Sequence, residues 1–159
     1  AQGMQPIVGY NYGARAMDRV RQAFKICSST NFGIGAFVTI VAVVAPGLIA
    51  SLFTSSPEMI EASAHALRLC LYGFAFVGFQ VTATQFFQSI GFGGKALLLS
   101  LSRQILFLLP ALFLFPLLWE STGVWLAMPF SDIAAGVLGM ILMYYQFKIF
   151  DRKVGPEGL

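Results

Sequence analysis

Four long apolar stretches, each holding at most one charged residue, restrict the fold of this chain more than any other feature. They cover positions 26–49, 69–94, 96–118 and 123–147. Each is long enough to cross about 30 Å of hydrocarbon as an α-helix. With 57% hydrophobic and only 11% charged residues, the composition excludes an ordinary water-soluble domain. We therefore predict an all-α, polytopic membrane protein with about four transmembrane helices, preceded by the tail of a fifth.

Basic residues are distributed unevenly between the two ends of these stretches. If consecutive spans are antiparallel, nine of the ten Lys and Arg residues fall on one side, namely Arg15, Arg19, Arg21, Lys25, Lys95, Arg103, Lys148, Arg152 and Lys153. The other side receives Glu58, Glu61 and Glu120, with Arg68 as its basic residue. The positive-inside rule places the basic side in the cytoplasm. We expect a multi-pass protein of the cell (inner or plasma) membrane with a cytoplasmic C-terminus.

The net charge of +3 does not indicate a nucleic-acid partner. The basic residues lie between apolar stretches and form no continuous patch. The lipid bilayer is the surrounding that this composition predicts.

Four ordered segments carry a resemblance to a known family. They are GMQPIVGYNYGAR at 3–15, QFFQSIG at 85–91, SLSRQ at 100–104 and GVWLAMPFSD at 123–132. In order and spacing they resemble the second half of bacterial MATE (multidrug and toxic compound extrusion) transporters. Four such segments in the same order are far more specific than any one of them.

The resemblance implies a position within a twelve-helix, two-lobe transporter. Residues 1–159 would form a C-terminal lobe fragment, with 1–12 as the tail of helix eight, 18–53 as helix nine, 57–90 as helix ten, 95–118 as helix eleven and 123–150 as helix twelve. The missing N-terminal lobe of the same chain would be its partner. The implied function is that of a secondary antiporter that exports hydrophobic or cationic drugs and toxins in exchange for protons or sodium, without any other cofactor.

Other functions remain open at this point. A lipid-linked oligosaccharide flippase of related fold would be expected to show a more basic cavity, and a non-transporting helical membrane subunit would serve assembly. An enzyme is not expected. Glu61 and His65 are spaced to supply two metal ligands, but the sequence offers no convincing third, so we predict no metal site.

Asp132 is the clearest candidate for function. It lies nine residues into its predicted helix, about 13 Å deep at 1.5 Å per residue. A carboxylate at that depth costs about 2.5–3.5 kcal/mol on an insertion scale, so it should face the bundle interior or water. It either couples transport to an ion or is held by hydrogen bonds to Ser131, Arg103 or backbone groups that Pro129 frees.

The predicted tenth helix carries polar and aromatic residues at four-residue intervals. Gln80 and Thr84 follow Tyr72 and Phe76, and aromatic faces attract organic cations. These four residues are candidates for a substrate cavity that binds small organic cations. The alternative is that the polar side chains hydrogen-bond neighbouring helices, as is common in membranes.

Two arginines and a proline are candidates for structural or gating roles. Arg103 either pairs with Asp132 or extends its side chain toward the inner interface. Arg68 lies at the outer end of the predicted tenth helix, where a solvated position is the simplest interpretation. Pro129 is expected to bend the twelfth helix.

Overall fold

A computed structural model of the chain describes residues 1–153, and all regular structure in that part is helical. The predicted all-α class is confirmed. The α-helices are α1 (Met4–Gly13), α2 (Met17–Val44), α3 (Pro46–Ser51), α4 (Pro57–Cys70), α5 (Phe74–Ser89), α6 (Gly93–Leu101) and α7 (Leu109–Lys153). A 3₁₀ turn, Leu71–Gly73, joins α4 to α5, and a π-helical segment, Ser102–Leu108, joins α6 to α7. Positions 154–159 of the predicted lobe lie outside the described residues.

These helices form four stretches that are long and apolar enough to cross a membrane. They are the first span (Met17–Val44), the second (Pro57–Ser89), the third (Gly93–Glu120) and the fourth (Thr122–Arg152). The third and fourth are separated by a reversal at Trp119 and Glu120, where the backbone is not helical and Glu120 has a φ of 48°. The ring centroids of Phe115 and Phe130 lie 5.2 Å apart, so the chain folds back on itself here.

The helix expected over 18–53 is two helices in the structure, which corrects that prediction. The first span ends at Val44, and α3 begins at Pro46. Proline has no N–H for the helical ladder and disfavours helical angles in the residue before it. Ala45 accordingly has φ −133° and ψ 50°. The other expected helices differ from the observed spans by a few residues at their ends, where helix boundaries fray.

Small residues bring the first and second spans into backbone contact. A Cβ added at Gly78 would lie 2.5 Å from the carbonyl oxygen of Asn31, and one added at Gly35 would lie 2.8 Å from Cα of Ala75. Close approach at small residues is common between helices in a membrane. The Asn31 amide also donates a hydrogen bond to the Thr82 hydroxyl at 2.8 Å. These contacts fix the rotation of the second span, which carries much of the site described below.

Large apolar side chains gather at the end of the bundle where α1 packs. Phe24, Phe86 and Phe150 are buried there with Val8 and Leu99. The rings of Phe24 and Phe86 meet edge to face with centroids 5.2 Å apart, and the ring of Phe150 lies tilted against that of Phe86. We call these three phenylalanines, together with Val8 and Leu99, the aromatic cluster.

The opposite end of the bundle is packed differently. The buried apolar side chains there are small, as at Ala42, Ala50 and Ala111. Along the sides of the spans, large apolar residues such as Phe37 and Leu106 are exposed. A soluble protein rarely presents so much apolar surface, whereas hydrocarbon solvates it.

Candidate functional site

An ion pair joins the third and fourth spans. The Arg103 guanidinium (Nη1) donates a hydrogen bond to Asp132 Oδ1 at 3.1 Å. Asp132 lies ten residues after Thr122, about 15 Å along the helix at 1.5 Å per residue, and it is 9% exposed. Arg103 lies ten residues after Gly93, so it is not at the end of its helix. The structure therefore places Arg103 on Asp132, and not with the basic residues at the membrane surface.

The backbone around Arg103 is unusual. It belongs to the π-helical segment Ser102–Leu108, and π-helical turns in proteins are often found at functional sites. The Ser131 hydroxyl donates to the Met128 carbonyl at 2.7 Å and not to its neighbour Asp132. Of the two side chains considered as partners for Asp132, Arg103 is the one that the structure brings into hydrogen-bond distance.

Pro129 lies at a close contact between the second and fourth spans, beside the Arg103–Asp132 pair. A Cβ added at Gly73 would lie 2.9 Å from the Pro129 carbonyl oxygen and 3.1 Å from Cβ of Asp132. The absence of a side chain at Gly73 thus lets the backbone of the fourth span reach the second. Beside this contact is a mostly apolar pocket of about 230 Å³, lined by Cys70, Phe74, Met128, Ser131, Arg103 and Asp132.

A second cavity lies on the other side of Arg103, between the second and third spans, and we call it the polar groove. Its volume is about 300 Å³, and its polar lining includes Gln80, Thr84, Gln85, Ser100, Arg103 and Gln104. Arg103 lines both cavities. The guanidinium is therefore shared between a buried carboxylate and a surface of amides and hydroxyls.

The structure separates the four predicted cavity residues. Gln80 and Thr84 line the polar groove, where the Gln80 amide donates to the Leu99 carbonyl at 2.9 Å. Phe76 packs instead against Phe32, with ring centroids 6.1 Å apart, and against Gly136. Tyr72 belongs to the 3₁₀ turn and is 65% exposed. Because the 3₁₀ turn at 71–73 has fewer residues per turn than an α-helix, Tyr72 does not share a helix face with Gln80 and Thr84.

Arg68 does not join this site. It is exposed in the last turn of α4, and no carboxylate of the described residues lies within salt-bridge distance of it. Its position agrees with the simpler interpretation, a solvated helix end.

Sequence reasoning missed a lysine that pairs with a buried amide at one end of the bundle. Lys95 Nζ donates to the Gln146 side-chain oxygen at 2.7 Å and lies 5.4 Å from the Phe87 ring centroid. Gln146 is buried. The available signal was a glutamine among apolar residues near the end of the fourth span, the residue type that had also indicated Gln80. Nearby, Arg21 pairs with Asp151 and donates to the Phe147 carbonyl, so Lys95 and Arg21 lie at the same end of the bundle.

Gln5 extends the polar groove toward that end. Its side-chain amide donates to Gln88 at 3.0 Å and also contacts Gln85. α1 is thereby attached to the second span through amide groups. Periodicity could not predict this contact, because α1 is too short to show a repeating pattern.

With four apolar helices of membrane-spanning length and an ion pair between the third and fourth, the chain belongs to the class of multi-pass helical membrane proteins. Comparison with known proteins then specifies the family. The MatE family model matches residues 1–114. The chain belongs to the MatE family, which confirms the resemblance found in the sequence.

Solved structures agree with this assignment. The chain is 33% identical to the MATE multidrug transporter DinF-BH, over 92% of this chain and 33% of that one, with a TM-score of 0.83. A Vibrio cholerae MATE transporter, VcmN in the bent form, shares the fold at 21% identity and a TM-score of 0.83, over 92% of this chain and 34% of that one.

An outward-facing multidrug resistance MATE family transporter of the MOP superfamily also shares the fold, at 22% identity and a TM-score of 0.77, over 94% of this chain and 34% of that one. The chain thus spans about a third of the length of these transporters. No curated protein matches it.

Proposed function

We propose that this chain is part of a secondary antiporter that exports hydrophobic and cationic organic compounds in exchange for protons or sodium. Membership in the MatE family and the 33% identity to a protein described as a multidrug transporter support the proposal. We assign the four spans to helices nine to twelve of the two-lobe fold. A second lobe then supplies the rest of the transport path.

The observation that carries the proposal is the Arg103–Asp132 pair near the middle of the spans. Ionisable residues at that depth are rare and are mostly functional. A proton or cation that binds Asp132 neutralises the carboxylate and weakens its attraction to Arg103. The contact between the third and fourth spans therefore depends on whether the coupling ion is bound. The position of Arg103 in the polar groove depends on it as well.

Substitution of Asp132 tests this role. In the full-length protein, Asp132→Asn is expected to abolish most of the proton-driven efflux of a fluorescent dye from cells or proteoliposomes, because the amide cannot exchange a proton. The amide keeps a hydrogen-bond acceptor for Arg103, so expression and membrane insertion should stay at the wild-type level. Efflux is measured first with an imposed pH gradient as the driving force and then, in a separate experiment, with a sodium gradient.

The matched control is Asp151→Asn, which removes the carboxylate at the end of the same helix. Asp151 is exposed and pairs with Arg21 outside the apolar part of the span. Efflux by this variant should equal that of the wild type. Undiminished efflux by Asp132→Asn under both gradients would contradict the coupling role.

We also propose that the aromatic cluster faces the cytoplasm and that the C-terminus is cytoplasmic. Support comes from Lys95 and Arg21, which the contacts of Gln146 and Phe147 put at one end of the bundle. The positive-inside rule assigns that end to the cytoplasm of the cell membrane.

Single cysteines at Glu120 and Arg152 test this orientation. They are introduced in a background in which Cys27 and Cys70 are replaced by alanine. A membrane-impermeant maleimide should label the Glu120→Cys variant in intact cells and the Arg152→Cys variant only after permeabilisation. Labelling of both positions from the same compartment would overturn the topology.

A further inference from the structure

The polar groove has a composition that membrane hydrocarbon does not tolerate. Two stripes form it, one on the second span that includes Gln80, Thr84 and Gln85, and one on the third that includes Ser100, Arg103 and Gln104. Gln80 lies nine residues from the end of the second span at Ser89, about 13 Å at 1.5 Å per residue. Polar groups at this depth need water, protein or a ligand as partner.

The charge of the groove favours an anion over a cation. Among the described residues its lining contains no Asp or Glu, and its one charge is the Arg103 guanidinium. Arginine offers five N–H donors in a planar fork that matches a carboxylate. Asp132 engages this fork through a single contact at 3.1 Å from the far side, so further donors remain for the groove.

The groove is flanked by apolar surface. Val81 lines the groove and is exposed, and on the third span the exposed Leu101 and Ile105 follow Ser100 and Gln104 in the sequence. A ligand whose acidic group reaches Arg103 therefore places its body against aliphatic side chains. This arrangement fits a compound with one carboxylate and an apolar or aromatic part.

We infer that Arg103 determines specificity in the polar groove by binding the acidic group of amphipathic organic carboxylates. The inference deepens the proposed function, on which it rests for placing the groove along the substrate path. In the bound state the ligand carboxylate and Asp132 share the guanidinium. The loss of either acidic group strengthens the contact of the other.

Equilibrium binding separates this inference from the transport role, because it needs no ion gradient. The probes are dansyl-phenylalanine, which carries a free carboxylate, and its methyl ester, which does not. Fluorescence titration of the full-length protein in detergent should show the acid binding at least tenfold more tightly than the ester. Equal affinities for the two probes would overturn the inference, even if gradient-driven efflux were present.

Two variants then assign the preference to Arg103. Asp132→Asn removes the competing carboxylate and should tighten acid binding severalfold while ester binding stays constant. The double variant Arg103→Gln/Asp132→Asn replaces the ion pair with two amides, so no charge is left unpaired, and it should lose the preference for the acid. A double variant that folds and keeps the preference would contradict the role of Arg103.

A neighbouring pair of substitutions tests the location. Gln104→Leu changes a groove residue and should weaken acid binding severalfold, whereas Leu106→Ile changes a nearby exposed apolar position that lines neither cavity and should leave it unchanged. If another segment of the full-length protein fills the groove, neither probe will bind there, a Ser100→Cys variant will not react with a water-soluble maleimide, and the inference fails.

Discussion

Replacing Gly78 with leucine is expected to prevent the protein from accumulating as a folded species. A Cβ at this position would lie 2.5 Å from the carbonyl oxygen of Asn31 and 2.9 Å from its carbonyl carbon. Both atoms are backbone, so the first span must move as a whole to make room. Even alanine should cost about 1–3 kcal/mol of stability, the usual range for overpacking, and leucine adds three more carbon atoms in the same place.

Gly33 provides the matched control. It lies on the first span, is exposed, and has nothing within 4 Å of an added Cβ. Gly33→Ala should leave the thermal midpoint unchanged or raise it slightly, because alanine favours a helix over glycine by about 1 kcal/mol. Size-exclusion profiles after heating in detergent compare the two alanine variants directly. Equal midpoints for Gly78→Ala and Gly33→Ala would show that the spans do not meet at Gly78.

The second large effect concerns the Arg103–Asp132 pair. Arg103→Leu alone leaves a nearly buried carboxylate without its cation. Removing one member of a buried pair typically costs about 3–5 kcal/mol, and a pair replaced by apolar residues is often as stable as the original. Because the Arg103 side chain is 35% exposed, we expect the lower end of that range.

The double variant Arg103→Leu/Asp132→Leu should recover most of the lost stability. It should nevertheless fail to transport, since it lacks the carboxylate proposed for coupling. Thermal midpoints of the wild type, the two single variants (Arg103→Leu and Asp132→Leu) and the double variant form a complete double-mutant cycle. Additive losses would contradict an energetic link between the two side chains.

The sequence was sufficient for the number of spans and for the family. Apolar stretches of helical length, each with at most one charge, predicted the four spans, and four short motifs predicted the family that the MatE match confirms. Asp132 stood out because a carboxylate in the middle of such a stretch needs an explanation. Arg103 was one of its proposed partners, and the structure selects it.

Contacts between helices were harder to predict. The helices are apolar on nearly all sides, so periodicity does not define which face of each turns inward. Phe76 therefore could not be separated from Gln80 by spacing alone, although the structure turns it toward Phe32. The contact between Lys95 and Gln146 depends on the same rotations. The helix expected over 18–53 also ran through Pro46, whose effect on the residue before it ends the first span outright.

The unequal packing of the two ends of the bundle has a mechanical consequence. Interlocked phenylalanines at the aromatic cluster resist sliding, because each ring fills a hole between several others. Alanines at the opposite end make far fewer contacts, so separating the helix tips there breaks little dispersion attraction. The bundle is therefore stiff at the aromatic cluster, and its helix tips separate more easily at the opposite end.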